Sequence, residues 1–226
     1  MSPRAVFIAG AHTDVGKTHV ACALIRAARE AGLTTQAVKP VASGYDPAMA
    51  EASDPGRLLA ALGRPVTEAA IAQMTPWRFA AALAPPSAAR AQGEELPFAP
   101  IVDFCRDSLA GAAADLILVE GVGGLMSPLA DHATGLDLVM ALRLPVLLVG
   151  GTYLGAISHT LTAYEVMRAR ELDVAAIVVS QDAAPLAPDF ADTLDLLAAH
   201  AASTPVLPAP RGADTNWARA VLDRLA

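Results

Sequence analysis

The chain has 226 residues, an apolar fraction of 54% with only 4% aromatic residues, and a formal charge of −7. That length suits one α/β domain over residues 1–226, with a core built from Ala, Val and Leu. The acidic balance argues against nucleic acid or an anionic membrane as a partner. The most hydrophobic stretch, residues 138–151, is too short to span a bilayer and contains Arg143 and Pro145. No basic, apolar leader precedes Gly10, so a cytoplasmic location is expected. Cys22 and Cys105 are too few and isolated for a disulfide framework or a metal site.

In chain order, the first strand is the apolar run of residues 5–9. It feeds Gly10-Ala11-His12-Thr13-Asp14-Val15-Gly16-Lys17-Thr18, and a helix is predicted from residue 18 to 31, with Gly32 as its stop. Strand, glycine-bounded loop and Gly-Lys-Thr opening a helix form the context of a phosphate-binding P-loop. Its backbone N–H groups and helix N-terminus offer a cradle for polyphosphate. Lys17 reaches the β- and γ-phosphates in such loops, and the Thr18 hydroxyl ligates Mg²⁺. The spacing departs slightly from the common one: five residues, not four, separate Gly10 from Gly16.

Further strand candidates follow. Residues 35–38 end in Lys39-Pro40, 115–119 in Glu120-Gly121, 145–149 in Gly150-Gly151, and 174–179 in Ser180-Gln181; residues 205–207 are also strand-like. Helical patterns lie at 54–62, 102–113, 155–171 and 189–201. Continuous apolar runs suit strands buried on both faces, and their alternation with helices predicts a doubly wound, mainly parallel sheet with helices on both faces. Ligands sit at the carboxyl ends of such strands, so Lys39, Glu120, Gly150 and Ser180 should share one edge with the P-loop. Residues 76–100, rich in Ala and Pro, read as a long excursion with a short helix at 86–91, and as a candidate functional loop.

Glu120-Gly121-Val122-Gly123-Gly124 closes a strand with a carboxylate followed by glycines. A glutamate ending a buried strand is costly without a partner, which points to the Mg²⁺-holding role of a second acidic motif. Lys39 is less determined by itself. It is either a solvated strand-end lysine or a second cation for an anion beside the γ-phosphate, since simple ATP hydrolysis needs only the loop lysine and Mg²⁺.

Taken together, the loop at 10–18, Lys39-Pro40-Val41-Ala42-Ser43-Gly44, Ser53-Asp54, the block Glu120-Gly121-Val122-Gly123-Gly124-Leu125-Met126-Ser127-Pro128-Leu129, and Leu154-Gly155-Ala156-Ile157-Ser158-His159 resemble the dethiobiotin synthetase family in order and spacing. The resemblance implies a P-loop NTPase fold and a homodimer. It implies an ATP- and Mg²⁺-dependent ring closure of 7,8-diaminononanoate with CO₂ or bicarbonate. By position it implies Mg²⁺ ligands at Thr18, Asp54 and Glu120, a catalytic lysine at Lys39 alongside Lys17, and substrate contacts at Ser43 and Thr13. Asp14, Val15, Gly16, Lys17, Thr18 and His19 match the triphosphate loop, joined by Gly121, Val122 and Gly123. Leu154, Gly155, Ala156, Ile157 and Ser158 match a helix start that takes the distal carboxylate across the dimer interface. Three blocks depart from the family: Ala84-Pro85-Pro86 replaces Ser-Pro-His, Ser158 replaces asparagine, and Ser180-Gln181 stands where asparagine reads adenine. That last departure predicts weakened discrimination for adenine, with Pro208, Ala209 and Pro210 also expected at the base. The rival reading is a switch ATPase of the partitioning type, but residues 11–15 lack the extra loop lysine of that class.

Overall fold

The computed structural model describes residues 4–184, 187–212 and 216–225. The first half of the chain forms β1 (Arg4–Gly10), α1 (Lys17–Glu30), β2 (Thr35–Val38), β3 (Val41–Ser43) and a 3₁₀ segment (Pro47–Ala52). Then come α2 (Asp54–Ala61), α3 (Glu68–Met74), β4 (Trp77–Phe79), α4 (Pro85–Ala91) and α5 (Phe98–Ala110). The second half forms β5 (Leu116–Glu120), β6 (Pro128–Ala130), β7 (Ala133–Thr134), α6 (Gly135–Leu142) and β8 (Val146–Gly151). It finishes with α7 (Ala156–Ala169), β9 (Val174–Ser180), α8 (Phe190–His200), β10 (Val206–Ala209) and α9 (Asn216–Leu222).

One six-stranded sheet, in the order β10-β9-β8-β1-β5-β2, is parallel throughout. The predicted doubly wound architecture is therefore present. Side chains of β1 alternate between two cores: Val6 and Ile8 pack with α1, α2 and α9, while Phe7 and Ala9 pack with α4, α5, α6 and α7. Burial on both faces is why these strands read as unbroken apolar runs.

The differences from the sequence reading have local causes. Helix α5 begins at Phe98, ahead of the expected residue 102, because Pro97 caps it and Pro100 falls in the first turn, where the missing N–H costs nothing. The apolar stretch 138–151 is two elements: Arg143, in the left-handed region at φ 51, ends α6 before β8 begins. No helix among the described residues is long and apolar enough to cross a membrane. Residues 76–100 hold the expected short helix and, ahead of it, a strand that the sequence reading did not include. Strand β4 pairs in parallel with β3, matching Val41 to Trp77, and α4 follows.

Helix α2 carries Asp54 in its first turn, and its entry is packed tightly. Ser53 caps it, its hydroxyl accepting from the Gly56 N–H at 3.2 Å. A Cβ on Gly56 would fall 1.9 Å from the Ala50 carbonyl oxygen, a backbone atom that cannot swing aside. Gly56→Ala is expected to destabilise the fold by about 1–3 kcal/mol, the usual cost of overpacking. Urea denaturation checks it; an unchanged midpoint would mean the 3₁₀ segment yields freely.

Candidate active site

The site grows from the carboxyl edge of the sheet. Residues 10–18 wrap the N-terminus of α1, with Asp14 at φ 55 and Gly16 at φ 102. Gly16 has to be glycine twice over: its backbone is left-handed, and a Cβ there would lie 2.2 Å from the Ser180 hydroxyl oxygen. Lys17 and Thr18 are buried at the start of the helix. Burial, reinforced by neighbouring Lys39, lowers the Lys17 ammonium to about 8. A bound polyphosphate would relieve that strain.

Strands β5 and β2 bring Glu120 and Lys39 to the same point. The Lys39 Nζ lies 2.7 Å from Glu120 Oε1 and 3.2 Å from Asp54 Oδ2. Thr18 donates its hydroxyl to the same Glu120 oxygen at 2.7 Å. Both Lys39 and Glu120 are about 1% exposed, so the solvated-lysine alternative for Lys39 is set aside. Burial alone would pull the Lys39 ammonium down, but Glu120 and Asp54 outweigh it and hold it above the ordinary lysine value. Asp54 is pushed up by desolvation and pulled below its usual range by Lys39 and Thr18, with the second effect winning.

Three residues far apart in sequence thus place hard oxygen donors together: one hydroxyl and two carboxylates. This set suits Mg²⁺, which binds through one or two carboxylates plus phosphate and water. Glu120 Oε2, buried and without a hydrogen-bond partner among the described residues, is the orphan acceptor such an ion would satisfy.

A cavity of about 550 Å³ opens beside these groups. Lys17, Lys39, Asp54, Thr13 and Asp14 line its polar side, and Ala82–Pro85 form an apolar wall. The segment expected as a functional loop therefore does border the cavity, through Ala84 and Pro85 in particular. Ser43 also faces it with a buried hydroxyl that has no partner among the described residues. Val122 and Gly123 complete the rim, while Gly121 accepts from Lys39 Nζ through its carbonyl at 3.4 Å.

A second cavity, about 390 Å³, shares Thr13 and Ser127 with the first. Along its wall His12 of the loop stacks on His159 at 5.4 Å, and Tyr153, which the sequence did not single out, brings its hydroxyl 2.8 Å from His159 Nδ1. Leu154, Gly155 and Ser158 are exposed close by at the start of α7, with Ile157 half-buried and Ala156 buried. Leu154 is 91% exposed. Val15 is buried beneath the loop.

The β9–β10 side carries the residues expected at the base. Ser180 is 2% exposed and packs behind Gly16, its buried hydroxyl without a hydrogen-bond partner among the described residues. The next residue, Gln181, carries the carboxamide instead, and its Oε1 accepts from the Arg211 N–H at 3.0 Å. Ala209 is buried, Pro208 exposed and Pro210 half-buried. His19 leans against Trp217 at 5.7 Å. Arg211 itself went unread; nothing in its sequence context marks it apart from its place directly after Pro208-Ala209-Pro210.

A parallel sheet with a Gly-Lys-Thr loop at its carboxyl edge and an acidic strand end beside it defines a P-loop NTPase. The MinD-containing cell division complex of Aquifex aeolicus has a similar fold, with TM-score 0.55 over 96% of this chain and 86% of that one at 11% identity. The family described as AAA domain matches residues 4–209. The chain is 56% identical to the ATP-dependent dethiobiotin synthetase BioD of Phenylobacterium zucineum over 97% of its own length and 94% of that protein. It is 52% identical to the protein of that name from Caulobacter vibrioides strain NA1000 / CB15N, over 95% and 94%. The chain belongs to the ATP-dependent dethiobiotin synthetase family and is an enzyme.

Proposed function

We propose that this chain closes the ureido ring of dethiobiotin from 7,8-diaminononanoate, CO₂ or bicarbonate, and ATP, as a cytoplasmic homodimer of single-domain subunits. The observation that carries the reading is Lys39, a second buried ammonium set between Glu120 and Asp54 beside the P-loop lysine. An ATPase without an anionic co-substrate has little use for it.

In this reading one amine adds to CO₂ and loses a proton, giving an N7 carbamate in the cavity between Thr13, Ser43 and Lys39. The carbamate oxygen attacks the γ-phosphorus, ADP leaves, and a carbamic–phosphoric anhydride forms. The second amine then attacks the anhydride carbon, closing the ring and releasing phosphate. Lys17 follows the charge on the β- and γ-phosphates, and Lys39 stabilises the carbamate and the developing anhydride. Thr18, Asp54 and Glu120 would hold Mg²⁺, which neutralises phosphate charge when bound. The start of α7, with its free N–H groups, suits the distal carboxylate of a substrate reaching over from the partner subunit.

The direct test supplies purified protein with the diamine, bicarbonate and MgATP, and follows the cyclic urea by mass. Phosphate release that proceeds without diamine, with no ring product, would overturn the reading.

A further inference from the structure

A nucleotide on a P-loop has two ends. Lys17, Lys39, Glu120 and Asp54 gather on the β5–β2 side of the loop, which fits the terminal phosphate. The nucleoside end must then extend across Gly16 toward β9 and β10.

We propose that Arg211 is the cation that grips the α-phosphate there and so positions the nucleoside half of ATP. Arg211 follows β10 and is anchored at two points to Gln181: its backbone N–H donates to Oε1 at 3.0 Å, and its Nε donates to the Gln181 carbonyl at 2.8 Å. With the near end fixed, the guanidinium tip points at the loop. Its Nη2 lies 3.5 Å from where a Cβ on Gly16 would sit. Among the described residues, neither Nη has a hydrogen-bonded acceptor or an ion-paired carboxylate.

The surroundings point the same way. Arg57 on α2 and Arg26 on α1 act on the same groove, as does His19, whose buried Nε2 lacks a partner among the described residues. Burial and these arginines hold His19 toward its neutral form, and in a chain of net charge −7 the grouping of Arg26, Arg57 and Arg211 is stabilised by a bound anion. Burial and the facing Arg57 already depress the Arg211 guanidinium below its usual value, with Asp182 opposing them weakly. A guanidinium presents paired N–H donors that match phosphate oxygens. A phosphate contact is blind to the base, which separates it from stacking on a purine.

The inference rests on the reading of the loop as an ATP site. The test measures MgATP, MgGTP and MgCTP affinity by calorimetry for wild type, Arg211→Ala and Arg211→Lys, each at low and high salt. Arg211→Ala is expected to weaken all three nucleotides roughly tenfold, the scale of one lost charge-assisted hydrogen bond. Arg211→Lys should recover much of that loss, and the salt dependence should flatten in the alanine variant. Affinity unchanged in Arg211→Ala would overturn the proposal. So would a loss confined to the purine nucleotides, or a loss that lysine does not rescue and that accompanies a lower melting temperature of the free protein. Wild type that binds no nucleotide would overturn the ATP reading itself, a result separable from the others.

Discussion

Lys39→Ala is expected to lower turnover by roughly 3 kcal/mol in the transition state, on the order of a hundredfold, while MgATP affinity stays within a few-fold. The two effects separate because Lys39 sits on Glu120 and Asp54 in the free protein. The ammonium therefore competes with a metal for the same oxygens, so its removal does not cost the site its hold on MgATP. The same substitution strands two carboxylates, one of them fully buried. Removing one partner of a buried pair typically costs about 3–5 kcal/mol, so the free protein should also be markedly less stable. Mg²⁺ should restore part of that loss in Lys39→Ala, because Glu120 then keeps only the neutral Thr18 hydroxyl and its charge is left for a cation to answer. Single-turnover kinetics, nucleotide calorimetry and urea titrations with and without Mg²⁺ read the three effects apart. Nucleotide affinity lost as severely as turnover would refute the division of roles between Lys17 and Lys39.

Mixing two inactive proteins is expected to create activity. If the distal carboxylate binds at residues 154–158 of the partner subunit, a Lys39→Ala subunit and a Gly155→Trp subunit each break a different half of the site. In the mixed dimer, the Lys39 of one protomer faces the intact α7 start of the other, and one of two sites is complete. Random exchange makes half the dimers mixed, so activity should recover to roughly a quarter of wild type. The surface around this segment favours an interface: Leu154 is 91% exposed and Met126 55%, beside a cavity of about 390 Å³. Sedimentation as an active monomer, or mixtures no better than their components, would end the idea.

The residues that bring the chemistry together were legible because sequence pattern and strand direction agree. The strand candidates 35–38 and 115–119 are each followed directly by a charged residue, and parallel pairing of β2 with β5 then forces Lys39 and Glu120 to meet. What stayed hidden was short or ambiguous. Strands β3, β6 and β7 have three, three and two residues, too few to show a period. Helix α6 is apolar nearly throughout and merges in sequence with β8, and only the left-handed Arg143 separates them. At Ser180 and Gln181 the sequence left open which of the two side chains serves the base. Successive residues of a strand point to opposite faces, and one position decides whether a side chain meets the loop from behind or reaches its mouth. Arg211 depends on a tertiary clamp to Gln181 that no local pattern announces.

The strand order also governs when the site can exist. The first strand of the chain is central, and its neighbours β5 and β8 lie more than a hundred residues away, pairing Phe7 with Val119 and with Val146. During synthesis β1 must therefore wait, with both edges bare, until the chain has reached β5. Glu120 then arrives in the same event that gives β1 its first pairing, but the β9–β10 flank docks only near the end of the chain. Such non-local pairing makes assembly slow. Regain of nucleotide binding during refolding is thus a clock for the last strands to dock, whereas β1 most needs protection earlier, until β5 and β8 cover its two edges.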